Sequence, residues 1–354
     1  GAGLLGAALA LGAVALPAQA EKASWAPYPV EVWTDAFNME GPRAEVDYVP
    51  LDAASKPWSL CVSLPHMKDS YWLAVDFGLV DEVERLGVKA RIKTAGGYGN
   101  LDTQREQIES CLAEDTDALI IGAISSDGLN DLVAKAAAQD MPVIDLVNGM
   151  SAEDLSAKSL VSFGEMGRKA GDYIVDKATK GDARIAWFPG PEGAGWVAAG
   201  DAAFKEAVAA GAPEVVTTKH GDTTPAAQKA LVTEVLDSHD DIAIIAGTAV
   251  TADVATEVLE ERGLDDKVQV VSYYLTPSIY RHVRRGRVAA SPTDSPVIQA
   301  RIAVDQAVRL LEGKDVKRHV GPKIIVLDRS TINFFDYLSA LPPRSFEPVM
   351  TVGE

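Results

Sequence analysis

From Trp58 onward, short β-rich runs alternate with stretches whose apolar residues recur at helical spacing, and no other feature of the chain constrains its fold so tightly. Strands are expected at Leu60–Leu64, Lys89–Thr94, Ala118–Ile121, Pro142–Leu146, Leu160–Phe163, Arg184–Phe188, Val215–Lys219, Ile242–Ala246, Val268–Ser272, Val288–Ala290 and Lys323–Leu327. Helices fill most of the gaps. One of them, Leu101–Glu114, carries Leu101, Ile108 and Leu112 at near-helical spacing, with Asn100 available as N-cap. Strand, crossover helix and strand in repetition make βαβ units, so the sheets are predicted to be mostly parallel. Two runs of similar size flank Leu160–Phe163. The fold class is therefore α/β: two doubly wound parallel-sheet lobes joined by a three-strand hinge, with crossings near Phe163, Thr293 and Lys317.

This reading assigns residues 58–162 and 293–317 to an N-terminal lobe, and 163–292 and 318–335 to a C-terminal lobe. Ahead of them, 21–57 holds Val30–Trp33 and Val46–Val49 around a Met39-Glu40-Gly41-Pro42 turn, which suggests a hairpin or extended arm. A tail over 336–354, rich in proline, is expected to be irregular. Residues 1–20 read as a secretory signal, with an apolar run Leu4–Pro17, an Ala18-Gln19-Ala20 cleavage signature and a mature start near Glu21. The apolar run is short for a membrane span, and none of about 18 residues follows.

The formal charge of −18 excludes nucleic acid and an anionic membrane surface as natural partners. Two cysteines, Cys61 on the first strand and Cys111 near the end of a helix, leave two readings open, a disulfide or two buried thiols. The five histidines are scattered without ligand spacing, so no metal and no cofactor is expected.

Catalytic motifs are missing. There is no Gly-x-Ser-x-Gly elbow, no His-Glu-x-x-His, and the loop Gly190-Pro191-Glu192-Gly193-Ala194-Gly195 lacks the Lys-Ser/Thr ending of a phosphate loop. An enzyme using the carboxylates Asp69 and Asp294 is the weakest of the function classes, and the chain is read as a binder. Tyr and Trp instead occupy four strand ends: Tyr71-Trp72, Tyr98, Trp196 and Tyr273-Tyr274. Ligands of doubly wound lobes bind at the carboxyl ends of strands, so these ends converge on one cleft. Aromatic faces attract a quaternary ammonium-like group at about 0.5–2 kcal/mol per ring. They also stack on sugars, but the candidate loops are poor in Arg and Asn, apart from Asn148. Asp69, Asp145 and Asp294 lie at strand ends too, the last two as hinge, cap or ligand residues.

Taken in order, Lys68-Asp69-Ser70-Tyr71-Trp72, Ala95-Gly96-Gly97-Tyr98, Gly122-Ala123-Ile124-Ser125, Val143 to Gly149, and Gly190-Pro191 with Gly195-Trp196 resemble the trimethylamine N-oxide sensors of the ribose-binding-type superfamily of periplasmic binding proteins. The resemblance runs from about Val30 to Pro348. It implies the type I periplasmic binding protein fold and a non-enzymatic periplasmic sensor of trimethylamine N-oxide (TMAO). Its implied partner is the periplasmic domain of a membrane histidine kinase that controls anaerobic respiration. It also implies that Trp72, Trp196 and one of Tyr273 and Tyr274 cage the methyl groups, with Tyr98 or Asp69 near the polar end. The alternative from the same fold is the soluble receptor of an ABC importer for a sugar or another small solute.

Overall fold

The computed structural model describes residues 22–178 and 181–353. The signal expected over 1–20 and its boundary at Glu21 lie outside these residues. The described chain forms two sheets, each flanked by helices, and the backbone passes repeatedly between them.

In chain order the first run comprises β1 (Tyr28–Trp33), β2 (Arg43–Tyr48), β3 (Ser59–Leu64), α1 (Ser70–Leu86), β4 (Lys89–Thr94), α2 (Leu101–Ala113), β5 (Ala118–Ile121), α3 (Asn130–Ala137), β6 (Val143–Leu146) and β7 (Ala157–Ser159). The second comprises α4 (Phe163–Tyr173), β8 (Arg184–Gly190), α5 (Gly195–Ala209), β9 (Glu214–His220), α6 (Pro225–Ser238), β10 (Ile244–Gly247), α7 (Ala249–Glu261), β11 (Gln269–Ser272), α8 (Pro277–Arg285) and β12 (Ala290–Thr293). The chain ends with α9 (Pro296–Leu311), β13 (His319–Pro322), β14 (Ile325–Asp328) and β15 (Thr351–Val352).

The first sheet runs β15-β4-β3-β5-β6-β7-β13-β1-β2 and the second β14-β12-β11-β10-β8-β9. Their central strands are parallel, and β3, β5, β6, β10 and β11 are almost wholly buried because helices cover both faces. Antiparallel strands lie outside these centres: β1, β2 and β15 in the first sheet and β14 in the second. The fold is thus two α/β lobes of the type I kind, with α9 packed against α1 in the first.

Three expectations need correction. The strand placed at Leu160–Phe163 is instead Ala157–Ser159, and Phe163 opens α4, because Ser162 caps that helix by accepting from the Glu165 N–H. The boundary at 318 falls inside the first lobe: His319–Pro322 pairs with β7 and β1, so the chain crosses near Lys323 rather than Lys317. The tail is irregular only in part, since Thr351–Val352 pairs with β4 and Val349 N–H donates to buried Asp76. In the expected arm, β1 and β2 form a hairpin that extends the first sheet through β13. A disulfide joins Cys61 on β3 to Cys111 on α2, across a loop worth roughly 4 kcal/mol in chain entropy.

Candidate functional site

Two helices deliver a tryptophan each to the cleft. In the first lobe, Asp69 ends the loop after β3 and accepts from the N–H groups of Tyr71 and Trp72, capping α1 and fixing both rings in its first turn. In the second, α5 begins at Gly195 without a side-chain cap and carries Trp196. Both rings lie against glycine. A Cβ at Gly122 would sit 2.8 Å from the Trp72 ring, and one at Gly190 2.7 Å from the Trp196 ring. Gly190 also has φ +113, a conformation side chains resist.

Between the rings lies a small cavity lined from both lobes. Asp69, Tyr71, Trp72, Tyr98, Val147 and Asn148 line it from the first lobe, and Phe163, Trp196, Thr223 and Tyr274 from the second. Ring centroids set the enclosure: Trp196 stands 6.3 Å from Tyr98, 5.8 Å from Phe163 and 6.1 Å from Tyr274, while Tyr71 stands 5.2 Å from Tyr274. Such faces suit an ammonium-like group, and the charged end of a ligand is met by few polar atoms.

Those polar atoms are organised. Asn148 donates to the Tyr98 hydroxyl at 2.9 Å and to the Ala123 carbonyl at 2.8 Å. Its neighbour Val147 holds φ +67, rare for a β-branched residue, and is fixed by its N–H donating to Ser159. Burial pushes the Asp69 carboxyl up to about 6, although the N–H groups of Trp72 and Tyr71 and the Thr223 hydroxyl favour its ionised form. Part of its surface is accessible, but protein surrounds the carboxylate. Burial also lowers His66 to about 4, so the imidazole is neutral. Because His66 Nδ1 accepts from the Lys68 N–H, Nε2 carries the proton and donates to Thr223 Oγ1 at 3.3 Å. The His66–Thr223 bond therefore links one lobe to the other beside Asp69.

Of the residues singled out from sequence, the structure brings together Asp69, Tyr71, Trp72, Tyr98, Trp196 and Tyr274. Tyr273 is not at the cavity. Its hydroxyl donates to the carbonyls of Phe163 and Trp196, and the ring occupies the space a side chain at Gly200 would need. Asp145 is also elsewhere, accepting from Met150 N–H and pairing with Lys158 at 3.1 Å to hold the loop after β6. Asp294 lies behind the wall at the second crossing, where it accepts from the Tyr71 hydroxyl and Gln299. Sequence reasoning missed Phe163, read as strand, and Thr223 and Val147, which carry no aromatic signal. Among the described residues no group of His, Cys, Asp and Glu is arranged to hold a metal ion, and no helix is long and apolar enough to cross a membrane.

Comparison with known proteins bears on this geometry. The family model described as a periplasmic binding protein domain matches residues 60–315. Periplasmic protein TorT of Escherichia coli K12 is 35% identical over 296 residues, covering 84% of this chain and 85% of the relative. A solved ABC transporter solute binding protein from Bradyrhizobium sp. BTAi1, with bound BIS-TRIS, is 50% identical at a TM-score of 0.81, covering 93% of this chain and 100% of that one. TorT in complex with the TorS sensor domain, solved without ligand and with TMAO, is 30% identical at a TM-score of 0.75, covering 83% and 99%.

Proposed function

The chain belongs to the periplasmic binding protein family, and on that premise we propose that it is a sensor: its interlobe cage holds trimethylamine N-oxide, and the periplasmic domain of a membrane histidine kinase reads the result. The observation that carries this reading is the meeting of Trp72, Tyr98, Phe163, Trp196 and Tyr274 around one small cavity with Asp69 at its edge. Five rings take the three methyl groups. The polar oxygen is left for donors at the Asp69–Tyr98–Asn148 side. The relationship to TorT, solved with TorS and with TMAO, supports both the ligand and the partner. Residues 1–20 are proposed to be the signal that exports the chain to the periplasm.

Magnitudes agree. A ligand of five heavy atoms, at a ceiling of about −1.5 kcal/mol per atom, gains at most roughly −7.5 kcal/mol, a low-micromolar affinity suited to an abundant solute. A sensor must also bind ligand differently in its open and closed forms, because only that difference shifts the equilibrium.

A second reading has its own support: the 50% identical neighbour is an ABC transporter solute binding protein, and its bound BIS-TRIS is a polyhydroxylated amine. Under it, the same cage serves an importer. Titration calorimetry of the chain from Glu21 onward with TMAO, trimethylamine and ribose separates the ligands. Micromolar binding of the oxide is expected; binding of ribose, or of none of the three, discards the ligand assignment.

A further inference from the structure

The chain pairs most of its arginines with its own carboxylates. Of the sixteen, ten pair with a carboxylate: Arg43, Arg85, Arg91, Arg105, Arg168, Arg184, Arg262, Arg287, Arg301 and Arg309. Arg318 donates to the Leu155 and Ser156 carbonyls. The other five, Arg281, Arg284, Arg285, Arg329 and Arg344, are exposed and have no carboxylate within ion-pair reach among the described residues.

These five gather on one face. Arg281, Arg284 and Arg285 lie on α8, and Arg329 approaches Gly286 at the end of that helix. The Arg284 guanidinium stands 5.9 Å from the Tyr280 ring, which meets the Tyr337 ring at 5.1 Å. Burial raises the Tyr337 phenol, and the charges of Arg344 and Arg281 pull it back. In the same segment Phe334 is 90% exposed, the most exposed large apolar side chain described. The nearby carboxylates are engaged: Asp253 with His282, Glu260 with Arg287 and Asp328 with Ser330. Asp336 and Glu347, in the same tail as Tyr337 and Arg344, are exposed and pair with no basic side chain among the described residues.

The face also spans the two lobes. The turn Ile332–Phe334 packs on α8 of the second lobe, the turn Tyr337–Ser339 packs on α9 of the first, and Phe346 beyond it meets Phe77 of α1 at 5.3 Å. A partner seated there touches both lobes beside a crossing, where rotation of one against the other changes the contact.

We infer that this face, Arg281, Arg284, Arg285, Arg329 and Arg344 around Phe334, docks an acidic surface of the kinase's periplasmic domain; the inference rests on the sensor reading above. Uncompensated guanidinium groups match carboxylates in a planar fork, and Arg, Tyr and Phe are the residues that carry binding energy at protein interfaces. An anionic membrane fits less well, because a chain of net charge −18 is repelled from it.

The test immobilises the recombinant periplasmic domain of a TorS-type kinase and measures binding of the wild-type chain, the double variant R284E/R285E and the variant F334A, each also titrated with TMAO. Loss of about tenfold or more in kinase affinity in both variants, with unchanged TMAO binding and a salt dependence lost in R284E/R285E, is expected. Variants that bind the kinase domain like wild type overturn the inference and leave the sensor reading intact. No kinase binding by the wild type overturns both, and the TMAO titration then reports on the cage alone. Capture on phosphatidylglycerol vesicles that depends on these arginines, without an effect on kinase binding, overturns it in favour of lipid.

Discussion

The two lobes present tryptophan to the cavity in the same way and surround it differently. Trp72 and Trp196 each sit in the first turn of a helix, opposite a glycine that leaves room for the ring. Around Trp72 the neighbours are titratable or hydrogen-bonding: Asp69 as cap, His66 at 6.5 Å and Tyr71 tied to Asp294. Around Trp196 they are rings, those of Phe163, Tyr98, Tyr273 and Tyr274, and its buried indole N–H has no hydrogen-bond partner among the described residues. One wall is built for apolar surface and the other for a polar group. A clamshell of this kind holds each end of a small amphiphilic solute with a different lobe, so only the closed form satisfies both.

The largest expected effect tests the apolar wall. Trp196→Ala removes the ring that four others pack against and should weaken TMAO binding by about 100-fold, while Trp72→Ala should cost less, on the order of tenfold. Calorimetry that finds the two equal breaks the comparison. The next effect, smaller and sharper, concerns Asp69. Its carboxyl is raised to about 6, so the folded chain holds this proton more tightly than the unfolded one. The destabilising contribution is absent below the ordinary carboxylate range and complete above about 6. When protonated, Asp69 can donate to an N-oxide oxygen; when ionised, it attracts a cation instead. TMAO affinity should therefore rise several-fold as pH falls through about 6, and Asp69→Asn, an amide that donates at every pH, should flatten the profile. A cationic amine should show the opposite slope, and an affinity for TMAO that falls with pH assigns the site to such a cation.

Much of this was legible beforehand because parallel sheets bury their strands on both sides. Leu60–Leu64 and Ala118–Ile121 stand out as apolar runs, and the aromatics after them fall at the strand ends where ligands bind. The missed elements are those whose polarity is neutralised only in three dimensions. Ala157-Lys158-Ser159 is a buried strand because Lys158 meets Asp145, and His319–Pro322 is one because His319 stacks on Trp33 at 3.9 Å. The choice between Tyr273 and Tyr274 turns on alternation. The Tyr273 N–H donates to Gly247, its ring fills the gap at Gly200, and Tyr274 is left to face the cavity. Thr223, a small hydroxyl contributed by the opposite lobe, leaves no local pattern to read.

That hydroxyl carries the smallest predicted effect, and it asks how far the polar wall depends on its partner lobe. Thr223 Oγ1 accepts from His66 Nε2 and favours the ionised form of Asp69, and it is the second lobe's contribution to an otherwise first-lobe group. Thr223→Val keeps the shape and removes the bond, leaving the His66 N–H without its acceptor in the closed form. An orphaned buried donor costs about 1–3 kcal/mol, but the open form exposes the same group to water, so the cost falls on closure rather than on folding. TMAO binding should weaken by a few-fold to about tenfold with the melting temperature of the free chain little changed. His66→Ala also removes the acceptor of the Lys68 N–H and a ring 5.4 Å from that of Tyr98, so it should lose at least as much as Thr223→Val, and the double variant should lose no more than His66→Ala alone. Additive losses in that cycle mean that the two side chains act separately, and the polar wall then belongs to the first lobe alone.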